Sequence, residues 1–283
     1  MRILHISDLH VETEPERAYP GVNASLARDA EILRRTAADL MIVSGDLTTH
    51  GSAEPEPLRR AREWVQSIGI PYLAIPGNHD LGPEKERGLK NPEQEAYDDR
   101  PYGQTNFGRI FGPDPLVRHE TDQLRVLGVG LREEDPDGAL DALEEALADD
   151  IRPVLLFGHY PVVTVRDHGT LARFGADTFI TTTVRRLHDI IRRHPRIVLY
   201  VCGHIHVVSA VPIAPHCLQL TAGALGPGAS SYRIYEVDGA GIQFTSLLGS
   251  GPLNFWERHG DPDVPREYSL GSPEERQGYV RFA

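Results

Sequence analysis

The feature that most restricts the fold of this chain is a repeated pattern, a short and almost wholly apolar run that stops in a polar cluster. It occurs five times, at residues 2–6 (RILHI), 39–44 (DLMIVS), 70–75 (IPYLAI), 153–157 (PVLLF) and 196–202 (RIVLYVC). Such runs suit strands covered on both faces. Between them, helical periodicity appears near 24–37, 55–67, 138–148 and 183–193. In the last, Val184, Leu187, Ile190 and Ile191 share a face with arginines between them, which reads as a solvated amphipathic helix. Past residue 205 the texture changes. Segments near 206–213, 216–222, 231–237 and 241–248 read as strands joined by short Gly/Pro turns, which predicts antiparallel pairing.

The polar ends carry the chemistry. The first run leads into Ser7-Asp8-Leu9-His10 and the second into Gly45-Asp46. The third leads into Gly77-Asn78-His79-Asp80, the fourth into Gly158-His159 and the fifth into Gly203-His204-Ile205-His206. Four of the five pass through a glycine, which lets the backbone bend or approach closely without a Cβ clash. In sheets with helices on their faces, ligands bind at the carboxyl ends of the strands, so the five ends can converge. One strand-end aspartate alone is ordinarily a cap or turn residue, and one buried histidine a hydrogen-bonded one. Five polar ends in succession need another reason. Asp8, His10, Asp46, Asn78, His159, His204 and His206 have the composition of a transition-metal site. Seven donors fit two ions that share a bridging carboxylate, and two ions about 3.5–4 Å apart clamp an in-line displacement at phosphorus.

Bulk properties narrow the partners. Over 283 residues the net charge is −12, which opposes nucleic acid and anionic membranes. No run approaches the roughly 18 apolar residues of a membrane span, and the start has no secretory pattern, so a cytoplasmic protein is expected. Cys202 and Cys217 lie in apolar, strand-like segments with no C-x-x-C spacing and are expected to be buried reduced thiols. The connections 81–103 and 160–182 are long enough to suggest a functional role. Residues 1–248 read as one domain and 249–283 as an extension. That extension carries Phe255, Trp256, Tyr268, Tyr279 and Phe282 and is expected to pack on the domain or on a second subunit in a homodimer.

In their order, the blocks "DLH", "GD", "GNHD", "GH" and "GHIH" over residues 8–206 resemble the calcineurin-like metallophosphoesterase superfamily. "ISDLH" and "GDLTTHG" look closest to its bacterial cyclic-nucleotide and glycerophosphodiester phosphodiesterase branch. The resemblance implies an α/β (α+β) fold, a four-layer αββα sandwich of two mixed sheets flanked by helices, with metals at the strand ends. Carried onto this chain, it places one ion with Asp8, His10, Asp46 and His206. The other falls to Asp46, Asn78, His159 and His204, with Asp46 bridging. The ions would be Mn, Fe or Zn, and a hydroxide between them the nucleophile. His79 would serve the phosphoryl or leaving-group oxygen, with Asp80 orienting it from behind. His50, Arg166 and His168 are further candidates for substrate contact. The expected substrate is a small phosphodiester. A repair-type DNA nuclease, a phosphomonoesterase and a non-catalytic scaffold are the alternatives, and the last would need missing ligands.

Overall fold

Two six-stranded mixed sheets pack face to face in a computed structural model that describes residues 1–16, 18–81, 98–148, 151–165, 181–253 and 266–282. The first sheet holds β1 (Arg2–Ile6), β2 (Leu40–Ser44), β3 (Tyr72–Ile75), β10 (Ser231–Val237), β11 (Gly241–Leu248) and β12 (Gln277–Arg281). Their order is β12-β11-β10-β1-β2-β3. The second holds β4 (Leu116–Glu120), β5 (Arg125–Val129), β6 (Val154–Phe157), β7 (Ile197–Cys202), β8 (Ser209–Ala214) and β9 (Cys217–Thr221), in the order β4-β5-β6-β7-β9-β8. β1, β2 and β3 run parallel, and so do β5, β6, β7 and β9, so within each sheet these strands finish on the same side.

Side chains alternate across each strand, and the apolar runs are therefore split between two cores. Ile3, Ile42, Val126, Leu155, Leu199, Tyr235 and Phe244 fill the space between the sheets. Their neighbours Leu4, Met41 and Val43 turn outward onto α1 (Val22–Arg34) and α2 (Pro55–Ser67). On the other side, Leu127, Leu156 and Tyr200 meet α3 (Ala139–Leu147) and α4 (Thr181–Arg193). α4 buries the stripe Val184, Leu187, Ile190 and Ile191 seen in the sequence. α2 starts on a proline, whose missing N–H has no partner to lose in the first turn, and buries Leu58, Ala61 and Val65 on one face. Leu199 is fully buried between the sheets, and its truncation to alanine should cost about 2–5 kcal/mol.

Three features depart from expectation. β4 and β5 form a hairpin that the sequence pattern did not reveal, because the β4 segment LVRHE is only partly covered. Strand structure expected from residue 206 begins at Ser209, because His204 (φ 71°) and His206 (φ 55°) leave the extended region. β9, expected in antiparallel pairing, also lies parallel beside β7. Cys202 and Cys217 are buried and free.

The segment after residue 249 contributes β12, which pairs with β11. It is held by buried Arg233, whose guanidinium donates to the carbonyls of Ser209, Thr221 and Glu275 at 2.9 to 3.2 Å. Phe255 and Trp256 lie outside the described residues. No helix among the described residues is long and apolar enough to cross a membrane.

Candidate metal centre

The loops after β1, β2, β3, β6 and β7 bring all seven expected donors together. Donor atoms of Asp8, His10 and His206 lie within 4.8 Å of one another, as do those of Asp46, His159 and His204. His10 Nε2 faces His206 Nε2 at 3.3 Å, and His206 Nε2 is 3.2 Å from Asp8 Oδ1. In the second group Asn78 Oδ1 lies 2.9 Å from His204 Nδ1 and 3.1 Å from His159 Nε2. Asp46 joins the two groups, with Oδ2 at 3.2 Å from His159 Nε2 and 3.9 Å from His10 Nε2. Of the seven donors His204 is half-buried and the others are buried, and the neighbouring His79 is half-buried too.

Backbone strain marks the same residues. Asp8, His10, Asp46, His204 and His206 all have φ between 48° and 71°, a left-handed conformation that ordinary residues adopt at a cost. Glycine allows the close approach of the loops. A Cβ on Gly77 would collide with the Asp46 carboxylate and stand 2.7 Å from His159 Nε2.

The donor chemistry fits metal ions. His159 Nδ1–H donates to the Ser44 carbonyl at 2.8 Å, which leaves Nε2 turned inward toward Asp46 Oδ2, Asn78 Oδ1 and His204 Nδ1. Ring nitrogens opposed at 3.2 and 3.3 Å around carboxylates can each turn a lone pair toward a shared ion once the ring is neutral. Without cations the cluster is self-paired. Burial pushes Asp46 upward, but His159, His79 and His10 together outweigh it and hold the carboxyl well below its usual range. Burial likewise lowers His159, and Asp46 overcomes it, raising the imidazole to about 9. Burial, reinforced by His79, keeps His10 well below the usual histidine value.

His79 sits one residue beyond Asn78. Its backbone N–H donates to Asp46 Oδ1 at 2.9 Å, and its ring Nδ1 lies 3.0 Å from the Thr49 carbonyl, so Nδ1–H donates there. Asp80 does not orient His79, contrary to the sequence-based expectation. Its carboxylate turns the other way and accepts from the N–H groups of Leu47, Thr48 and Gly77 and from the Thr48 hydroxyl, at 2.8 to 3.1 Å. A buried carboxylate takes the nearest concentration of N–H donors, and the loop after β2 supplies it. Asp80 therefore locks that loop to the turn after β3. Burial, with Asp46 behind it, raises Asp80 to about 6 against those donors.

His50 is half-buried on the same loop and belongs to none of the converging donor groups. Arg166 and His168 lie outside the described residues. Sequence reasoning missed Thr49, and it missed the loop before β10, where the N–H groups of Leu225 and Gly226 donate to the carbonyls of Ser7 and Asp8 at 3.1 and 3.2 Å. The glycines of "GALGPGAS" were the available signal.

Two mixed sheets flanked by helices thus carry this His/Asp/Asn cluster at their strand ends. Residues 1–208 match the family model described as calcineurin-like phosphoesterase, and the chain belongs to that family. It is 28% identical over 211 residues to a probable cyclic nucleotide phosphodiesterase of Synechococcus sp., covering 73% of each chain. Identity is 25% over 271 residues with the 3′,5′-cyclic adenosine monophosphate phosphodiesterase of Escherichia coli K12, covering 87% of this chain and 89% of that one. A dimetal phosphatase from Danio rerio superposes with a TM-score of 0.61 at 13% identity, over 100% of this chain and 99% of that one.

Proposed function

We propose that this chain hydrolyses a small phosphodiester of the cyclic-nucleotide or glycerophosphodiester type, at a pair of Mn, Fe or Zn ions. The observation that carries the reading is the place of Asp46, whose Oδ2 lies between a donor group containing His10 and one containing His159. Asp8, His10, Asp46 and His206 would hold one ion, and Asp46, Asn78, His159 and His204 the other. When bound, such ions supply Lewis acidity and an activated water.

The protein's own groups supply the remainder. Asn78 donates a neutral oxygen, so two divalent ions meet only two carboxylates and the site stays cationic enough to attract a phosphate ester. His79 presents Nε2, because Nδ1 is committed to the Thr49 carbonyl. In its protonated form Nε2–H can donate to the leaving oxygen. The names of the relatives from Synechococcus and Escherichia coli favour a diester.

The test is a panel of cyclic nucleotides, glycerophosphodiesters, monoesters and DNA with the metal-loaded protein. Bis-nitrophenyl phosphate should be cleaved faster than the mononitrophenyl ester, with measurable turnover of a cyclic nucleotide or glycerophosphodiester. A clear preference for monoesters, or DNA degradation without small-diester activity, would contradict the assignment.

A further inference from the structure

His5 lies within β1, fully buried, with both ring nitrogens bonded. Nδ1 is 2.9 Å from the Tyr235 hydroxyl, and Nε2 is 2.8 Å from Ser44 Oγ. Burial, with the Arg233 charge behind it, brings the imidazole down to about 3, so the ring is neutral and carries one N–H. The ring therefore donates to one of the two hydroxyls and accepts from the other. A bonded polar ring here costs more to bury than the apolar residue that would fill the same space.

What His5 holds is a junction. Ser44 is the last residue of β2, still in register with Ile75 of β3. The chain then turns sharply through Gly45 (φ 96°) and Asp46 (φ 48°). The Ser44 carbonyl accepts from His159 Nδ1–H at 2.8 Å and from the Ser7 hydroxyl at 3.4 Å. The side chain of Ser44 is thus tied to the interior, and its main chain to the imidazole of the second donor group. Residues on both sides of the strained turn need a fixed starting point, and the His5 bond supplies one.

We propose that His5 is a positioning residue of the metal centre, which through Ser44 aims Asp46 and His159. This rests on the metal reading given above. Outer partners of metal-binding histidines commonly change affinity by about 10–100-fold when removed, and His5 acts one step further out through the same bond.

Two substitutions separate this role from ordinary core filling. In His5→Gln the amide reaches about where Nε2 stood, which keeps a hydrogen-bond partner for Ser44 and gives up Tyr235. In His5→Asn the amide reaches about where Nδ1 stood, which does the reverse. Under dialysis against a weak chelator, His5→Gln should retain two ions per chain. His5→Asn should hold the ion on the His159 side about 10–100-fold more weakly, and Ser44→Ala should follow it.

Nitrogen–proton correlation spectra of the metal-free protein give a second readout. The His159 Nδ1–H signal should move in His5→Asn and Ser44→Ala and stay in place in His5→Gln. Equal metal retention in all variants, or an equal loss in His5→Gln and His5→Asn, would overturn the proposal. A parent chain that binds no metal would overturn the metal reading itself, while the His159 signals would still report whether His5 acts through Ser44.

Discussion

The backbone N–H of His79 donates to Asp46 Oδ1 at 2.9 Å, which ties the half-buried imidazole to the carboxylate lying between the two donor groups. His79→Ala removes the ring without removing a metal donor. It should keep its ions and lose about 10²–10⁴-fold in kcat if the ring is the general acid. Nitrophenyl diesters, whose leaving groups need less protonation, should lose less than alkyl diesters. Equal losses would assign the ring to charge stabilisation instead.

Metal affinity should depend steeply on pH. In the metal-free chain the pairing with Asp46 raises His159 to about 9, and the imidazole must give up that proton to bind an ion. Below that value the proton competes with the metal. Apparent affinity at this position should therefore rise about tenfold per pH unit up to about 9. Titration calorimetry in buffers of different ionisation enthalpy would also detect the released proton.

Gly77→Ala should disable the centre while leaving the domain folded. The added Cβ meets the Asp46 carboxylate and His159 Nε2, and neither can retreat without leaving its donor group. Gly239→Ala is the control, since nothing lies within 4 Å of its added Cβ. Elemental analysis after gel filtration should find fewer than two ions per chain in the first variant and the parental content in the second.

Asp29 makes a separate pH-dependent contribution. It is buried on α1 and accepts from the Ser250 N–H at 2.7 Å. Burial raises its pKa above 3.8, so the folded chain holds this proton more tightly than the unfolded chain. Its contribution to stability therefore falls as pH climbs through and above the unfolded value. Asparagine carries no such charge. The melting-temperature difference, Asp29→Asn minus parent, should shift in the variant's favour from about pH 4 to pH 7. A constant difference, or one moving the other way, would contradict this.

The donors were legible in the sequence because each follows an apolar run, and the register of the parallel strands turns that one-dimensional pattern into convergence at one edge. The helices at 55–67 and 183–193 were legible through their single apolar faces. The role of Asp80 was not, because its partners are backbone N–H groups of Leu47, Thr48 and Gly77, and main-chain donors leave no trace in side-chain identity. Thr49 escaped notice because it acts through its carbonyl. The β4–β5 hairpin escaped notice because β4 (LVRHE) is only partly covered, although its partner β5 (RVLGV) is fully buried, and β9 took its place beside β7 through sheet geometry that local pattern does not encode.

The central claim is that Asp46 is shared by two metal ions, and anomalous diffraction from crystals of the metal-loaded protein tests it most directly. Two peaks about 3.5–4 Å apart are expected, one beside Asp8, His10 and His206 and the other beside Asn78, His159 and His204, with the Asp46 carboxylate between them. A single peak, or two peaks of which one lies away from Asp46, would contradict it.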